Sequence, residues 1–210
     1  TSNYPARARG VQKLQSIKEA QRICPEIVLV PGERLDVFRN AAREIFSVAK
    51  LHMKDEQVNV GLDERNVIQI EKSGLDELYF DVTNLCQAAS NKDNTDNTSR
   101  NVSNRIGKVK SIQEDIMYRR AANICTRLRA RLKKDLGYEC CGGISNSKMA
   151  SKIAVNIHKP NNQTIILPDA VLPFLLQRPL RDLTGIGWKT SKALAEATPS
   201  IVTVADALST

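Results

Sequence analysis

No CxxC pair occurs among the five cysteines (Cys24, Cys86, Cys125, Cys140, Cys141), and the only histidines, His52 and His158, lie far apart. Structural zinc sites draw cysteine and histidine ligands from short spacings, so the missing pattern argues against zinc chemistry, and the odd cysteine count argues against a disulfide framework. Unpaired thiols fit a reducing compartment, the cytosol or the nucleus. No apolar stretch approaches the roughly 20 residues that span a bilayer, and no signal-peptide pattern follows Thr1, so the sequence reads as soluble, with no membrane partner. The chain opens on threonine, and Val202 to Leu208 reads as the start of another element, so both ends read as cut.

What is present is an ordinary globular composition with a basic excess. The 210 residues are 41% hydrophobic, enough for one or two domains with cores. Lysine and arginine number 31 against 23 acidic residues, a formal charge of +8, which makes a polyanion the natural partner to test.

Local patterns alternate between strand and helix. Ser16-Ile17-Lys18-Glu19 has the form of a capping box, predicting a short helix to about Cys24, stopped by Pro25. Ile27-Val28-Leu29-Val30 reads as a compact apolar strand, and Leu35, Phe38, Ala42, Ile45 and Ala49 recur at helical spacing. Residues 50–65 are polar and without period. Two β-rich segments, around Val67 to Ile70 and Leu78 to Thr83, flank Ser73-Gly74-Leu75-Asp76-Glu77. Residues 88–104 collapse to Asn, Asp, Ser and Thr, the composition of a disordered surface insertion. Ile116 to Leu132 predicts a helix ending at Gly137, and its many arginines and lysines read as a solvated face or a nucleic-acid contact. A further helix follows Gly142-Gly143-Ile144-Ser145. The alternation makes the protein α/β or α+β.

Adjacent carboxylates at the edge of a sheet can share a hard divalent cation with the phosphates of a substrate. Two such pairs occur in identical words, Gly61-Leu62-Asp63-Glu64 and Gly74-Leu75-Asp76-Glu77. Context separates them, because Asp76-Glu77 abuts strand formers whereas Asp63-Glu64 sits in a polar stretch. Near the end, Leu180 to Ser191 reads as a helix-hairpin-helix with Gly185-Ile186-Gly187 as the tight turn. Such a turn brings backbone amides close to a phosphate, or serves helix packing.

Ser73-Gly74-Leu75-Asp76-Glu77-Leu78-Tyr79-Phe80-Asp81-Val82-Thr83 resembles the S-x-D-E palm motif of Y-family translesion DNA polymerases, with the serine one residue further from the aspartate, as in the iota branch. Three other segments resemble that family in the same order. They are Asn3-Tyr4-Pro5-Ala6-Arg7-Ala8-Arg9-Gly10-Val11, the stretch Gly143-Ile144-Ser145 to Lys152 with Lys159-Pro160, and the hairpin at 185–187. Polymerase iota of fungal type is the nearest branch, with eta next.

The resemblance implies a right-hand polymerase: partial fingers over 1–32, a palm with an antiparallel sheet over 33–158, and an all-α thumb with the helix-hairpin-helix over 159–210. It implies that Asp76 and Glu77 hold two Mg2+ ions, or Mn2+, and that Tyr4, Arg7 and Lys152 bind a deoxynucleoside triphosphate. Gly185, Ile186, Gly187, Lys189 and Lys148 would contact primer-template DNA. It further implies a nuclear repair enzyme whose sliding clamp and other repair factors engage regions outside these residues. The remaining metal-binding aspartate is expected in a strand before Thr1, so this fragment is expected not to polymerise alone. Read from residues only, Tyr4 could simply pack, and Lys148 and Lys159 could be solvated. A catalytically inactive DNA-binding relative, or a helix-hairpin-helix repair enzyme using Lys189 or Lys192, are the competing readings.

Overall fold

The computed structural model describes residues 1–32, 34–63, 68–88 and 104–209. These fall into two compact units, Thr1–Arg39 and Asn40–Thr210.

In the first unit, α1 (Tyr4–Ala8) is capped by Asn3, whose side chain accepts from the Ala6 amide at 3.0 Å. Helix α2 (Ile17–Ile23) starts at Ser16, which accepts from the Glu19 amide, and stops at Cys24. Only half of the expected capping box forms, because the Glu19 carboxylate turns to Arg22 at 2.6 Å. Ala6, Val11, Ala20 and Cys24 make the small core. The strand expected over 27–30 is absent: Val28 and Val30 are 81% and 80% exposed, and no described strand pairs with them. β-propensity without a neighbour to complete the ladder does not make a strand.

Helix α3 (Leu35–Asn59) runs ten residues past the last apolar position of its sequence pattern. The extension looked like loop because it is polar, yet His52 and Glu56 are buried with Met53. A partner from another helix explains this. In α5 (Ile112–Leu136), Arg127 forms a two-pronged bond to Glu56, at 2.7 Å to each carboxylate oxygen. His52 Nε2 lies 3.3 Å from the same carboxylate, and burial pushes the His52 pKa down.

Three further cations of α5 are also tied within the protein. Arg120 is buried and donates to the Cys86 carbonyl at 2.7 Å, Arg129 donates to the Cys140 carbonyl at 2.9 Å, and Arg131 pairs with Asp55 at 2.5 Å. Neither a solvated face nor a nucleic-acid contact accounts for these three. Leu128, Leu132 and Ile124 pack with Ala49, Met53, Ile68 and Leu85 as the main core. As its terminal glycine predicts, α5 stops at Gly137, which adopts φ 76°.

Two sheets lie in the second unit. Strands β1 (Ile70–Lys72) and β2 (Leu78–Phe80) pair antiparallel, Glu71 opposite Tyr79. Strands β3 (Arg105–Ile106), β4 (Gly142–Ile144) and β5 (Gln163–Ile166) form a parallel sheet in the order β3-β5-β4. The antiparallel pairing expected around the acidic pair is therefore present, while the second sheet is parallel. Helix α4 (Thr83–Ala88) follows β2, and residues 89–103 of the expected insertion lie outside the described residues. Its last residue, Asn104, belongs to the sheet edge: its carbonyl accepts from the Ile165 amide at 2.9 Å.

Helix α6 (Lys148–Ile157) crosses between β4 and β5, capped by Ser147 and burying Ala150, Ile153 and Ala154. Four further helical segments complete the chain: α7 (Pro168–Leu176), a 3-10 turn (Leu180–Asp182), α8 (Trp188–Ala197) and α9 (Val204–Leu208). A capping box of Thr203 and Asp206 starts α9, so the closing residues do open an element.

Candidate active site

The β1–β2 hairpin builds the acidic site. Its loop is closed by the Ser73 amide bonding to the Glu77 carbonyl at 3.0 Å, and beyond the strands the Asp81 amide bonds to the Gln69 carbonyl at 3.0 Å. Leu78 and Phe80 pack against the main core, which fixes the hairpin from one side. Asp76 lies on the loop and Glu77 directly precedes β2, both exposed. The carboxylates are thus presented by a loop whose two ends are anchored in strands. Of the decoy pair, Glu64 lies outside the described residues.

Lys152 meets this site. From the second turn of α6 its ammonium donates to Glu77 Oε2 at 3.0 Å, and the Glu77 bond pushes the Lys152 pKa up, with smaller contributions from Tyr79 and Asp76. One turn earlier Lys148 pairs with Glu71 and lies 5.9 Å from the Tyr79 ring centroid. Lys148, read as a DNA contact, has an intramolecular anion here. Glu71 is the residue that sequence reasoning missed. Its signal was its cross-strand position opposite Tyr79, on the hairpin face that α6 approaches.

Helix α6 packs directly on β4 at Gly143, which has no side chain in its way. An added Cβ on Gly143 would come 2.0 Å from the Ser151 carbonyl oxygen, so the helix backbone rests on the strand. Ser145 ties the end of β4 to β5 by donating to the Ile166 carbonyl at 2.8 Å.

The donor set suits a hard divalent cation. Magnesium is commonly held by one or two carboxylates together with substrate phosphates, keeping waters elsewhere. Asp76 and Glu77 supply two exposed carboxylates, and among the described residues no third acidic, histidine or cysteine ligand completes a cluster with them.

In the first unit the structure brings Tyr4 and Arg7 together, at i and i+3 on α1, with the guanidinium 5.1 Å from the ring centroid. Arg7 Nε donates to the Ser2 carbonyl at 3.0 Å, which orients the fork. Arg7, Gly10, Val11, Gln12 and Lys13 line an open depression of about 450 Å3. Tyr4 is 47% exposed.

At the far end, Gly185 takes φ 97° and the Ile186 amide bonds back to the Leu183 carbonyl at 3.1 Å, making the turn before α8. Gly187 is the N-cap, with no side-chain cap. Lys189 is exposed in the first turn. The element before the turn is a single 3-10 turn rather than an α-helix. No described helix is long and apolar enough to cross a membrane.

Residues 1–156 match the impB/mucB/samB family. The chain is 34% identical over 209 residues to DNA polymerase iota of Drosophila melanogaster, covering 96% of this chain and 26% of that protein. It is 31% identical over 199 residues to DNA polymerase IV of Yersinia enterocolitica, covering 93% and 43%. The chain therefore spans less than half the length of these relatives. Its fold is similar to a DinB-family error-prone DNA polymerase from Sulfolobus solfataricus, with a TM-score of 0.66 at 22% identity over 100% of this chain and 49% of that one. A family match over three quarters of the residues, on a mixed α/β fold of the same kind, settles the relationship: the chain belongs to the impB/mucB/samB family, the Y family of translesion DNA polymerases.

Proposed function

We propose that this chain is part of a DNA polymerase that copies past damaged bases, with fingers over 1–32, palm over 33–158 and thumb over 159–210. The observation that carries the reading is the hairpin loop presenting Asp76 and Glu77, with the Lys152 ammonium 3.0 Å from Glu77. Two carboxylates facing a cation from a second element form a site for a metal-bound triphosphate. Relatives that bear the names DNA polymerase iota and DNA polymerase IV support the substrate class.

In this reading Asp76 and Glu77 hold the metal, and Lys152 exchanges the Glu77 carboxylate for an oxygen of the triphosphate. Two Mg2+ ions, or Mn2+ in their place, supply Lewis-acid stabilisation of charge on the transferring phosphoryl group when bound. Arg7 and Tyr4 donate to phosphate oxygens, for which a guanidinium fork and a phenolic hydroxyl are suited. The α8 turn, with Gly185, Ile186, Gly187 and Lys189, holds the primer-template backbone without reading its sequence, and Lys148 adds a point charge. The eukaryotic relatives support a nuclear location; a sliding clamp and other repair factors would engage further regions of the protein.

Because no third ligand joins Asp76 and Glu77 among the described residues, the 210 residues alone are proposed not to extend a primer. In the intact protein, Asp76→Ala with Glu77→Ala should abolish nucleotide addition while primer-template binding persists. Primer extension and a binding titration on the same preparation test this. Retained synthesis removes the site assignment. An unmutated intact protein that binds DNA but does not synthesise would instead be a non-catalytic DNA-binding relative.

A further inference from the structure

The chain has one tryptophan, Trp188, and it is 75% exposed. A large amphipathic ring left in water is unusual for a residue that dominates cores and interfaces. Its position is specific. It is the first residue of α8, directly after the Gly185-Ile186-Gly187 turn, where Gly187 provides no side-chain cap. The opening amides of that helix have no acceptor inside it, so an anion at this end and a group resting on the indole would be immediate neighbours. Lys192, one turn later, sets its ammonium 5.4 Å from the ring centroid and 3.7 Å from the exposed Glu196 carboxylate, and the neighbouring Lys189 is exposed. The surface therefore offers amide donors, an apolar plate and two ammonium groups within the first turns of one helix. A DNA backbone presents the complementary sequence of groups, alternating an anionic phosphate with an apolar deoxyribose face.

We propose that Trp188 is a DNA-docking residue, its indole packing on the deoxyribose next to the phosphate bound by the α8 amides. This rests on the reading of the hairpin as a backbone-holding element and assigns it an apolar contact that the glycine turn alone does not provide. The ring reads no base, so the contact adds affinity without sequence preference. Being apolar, it also releases no counterions, whereas each lysine-phosphate contact contributes about 0.9 to the salt dependence of binding.

The test uses the 210-residue chain and a primer-template duplex, titrated at several salt concentrations. Binding of every variant is read from the anisotropy of a labelled duplex, and in the parent the single tryptophan is a second probe whose emission should shift and quench on binding. Trp188→Ala should weaken binding about tenfold and leave the salt slope unchanged. Lys189→Gln should weaken binding less at high salt than at low and reduce the slope by about 1. Gly185→Val, which forces a branched side chain into the left-handed region, should weaken binding by disturbing the turn itself. If Gly185→Val loses binding while Trp188→Ala binds as the parent and the parent's emission is unmoved by DNA, the tryptophan contact is overturned and the hairpin reading stands. If Gly185→Val, Lys189→Gln and Trp188→Ala all bind as the parent does, the hairpin reading falls, and this inference with it.

Discussion

Gly143→Ala tests the packing that brings α6 to the acidic hairpin. The new Cβ would lie 2.0 Å from the Ser151 carbonyl oxygen and 2.6 Å from the Val155 amide nitrogen, where contacts below 3.0 Å essentially never occur. Both obstacles are helix backbone, so no side chain can swing aside, and α6 must retreat from β4 by about 1 Å. Ala150 and Ala154, buried on that helix, lose contacts in the same movement. Overpacking of this kind costs roughly 1–3 kcal/mol, and a backbone obstacle puts it at the upper end, a fall of roughly 5–10 °C in Tm. Lys152 rides on the same helix, so nucleotide addition by the intact protein should fall about a hundredfold, the usual penalty for a misplacement of this size. The neighbouring Gly142→Ala supplies the control. Its Cβ would meet Cys125 Sγ at 2.2 Å, a side-chain atom. Cys125→Ala should therefore rescue Gly142→Ala and leave Gly143→Ala unrescued, a double-mutant cycle read by urea unfolding. A Gly143→Ala protein as stable as the parent, or one restored by Cys125→Ala, refutes the packing account.

Three further outcomes follow from named contacts. Lys152→Met should cost no more than about 1 kcal/mol of stability, since its partner Glu77 is half-exposed, yet should weaken triphosphate binding in the intact protein. Because the Glu77 bond raises the lysine pKa, the stability difference between parent and variant should hold from neutral pH up to the ordinary lysine value of 10.5 and disappear only as pH rises through the raised one. His52 behaves oppositely: burial lowers its pKa, so below about pH 6.5 the unfolded chain takes up a proton that the folded chain refuses. Stability should fall with pH from there until the lowered value is passed, and His52→Gln should flatten that slope in urea titrations. Arg127→Met strands the Glu56 carboxylate in the core and should cost about 2–3 kcal/mol, less than for a fully buried pair because Arg127 is half-exposed. Adding Glu56→Gln to it should recover part of the loss, and no recovery would show that Arg127 acts through its aliphatic stem instead.

Where local chemistry decided the structure, the letters were sufficient. Ser16 and Gly137 mark helix ends because a side-chain oxygen and a left-handed glycine satisfy groups within their own turn. The hairpin at 70–80 could be read from its strand formers. Failures came where a distant partner decided. The polar end of α3 is held by partners on α5: Arg127, 71 residues away, satisfies Glu56 in the core, and Arg131 pairs with Asp55. The run at 27–30 has the composition of a strand, but a strand exists only in a pair, and sequence says nothing of which pair. The arginines of α5 follow the same rule: a row of cations looks solvated until the anions and carbonyls on neighbouring elements are known.

The acidic site shows the same division within a few residues. Asp76 and Glu77 could be told from an identical pair by the strands beside them, which is local information. That Lys152 contacts Glu77 could not be told, because it depends on Gly143 in β4 letting a helix settle against the strand. Sequence resemblance assigned that lysine to a triphosphate, and the structure pairs it with a carboxylate. The two assignments are compatible on electrostatic grounds. A flexible ammonium whose charge is reinforced by a neighbouring anion stays protonated at neutral pH and can exchange one oxygen anion for another. Were Glu77 engaged by a cation, its hold on Lys152 would weaken as a phosphate arrived to replace it. Glu77→Gln should then lower the Lys152 pKa toward its ordinary value, measurable by lysine NMR titration. An unchanged lysine pKa in that variant would mean that Glu77 does not hold Lys152 in solution, and the exchange would have no starting point.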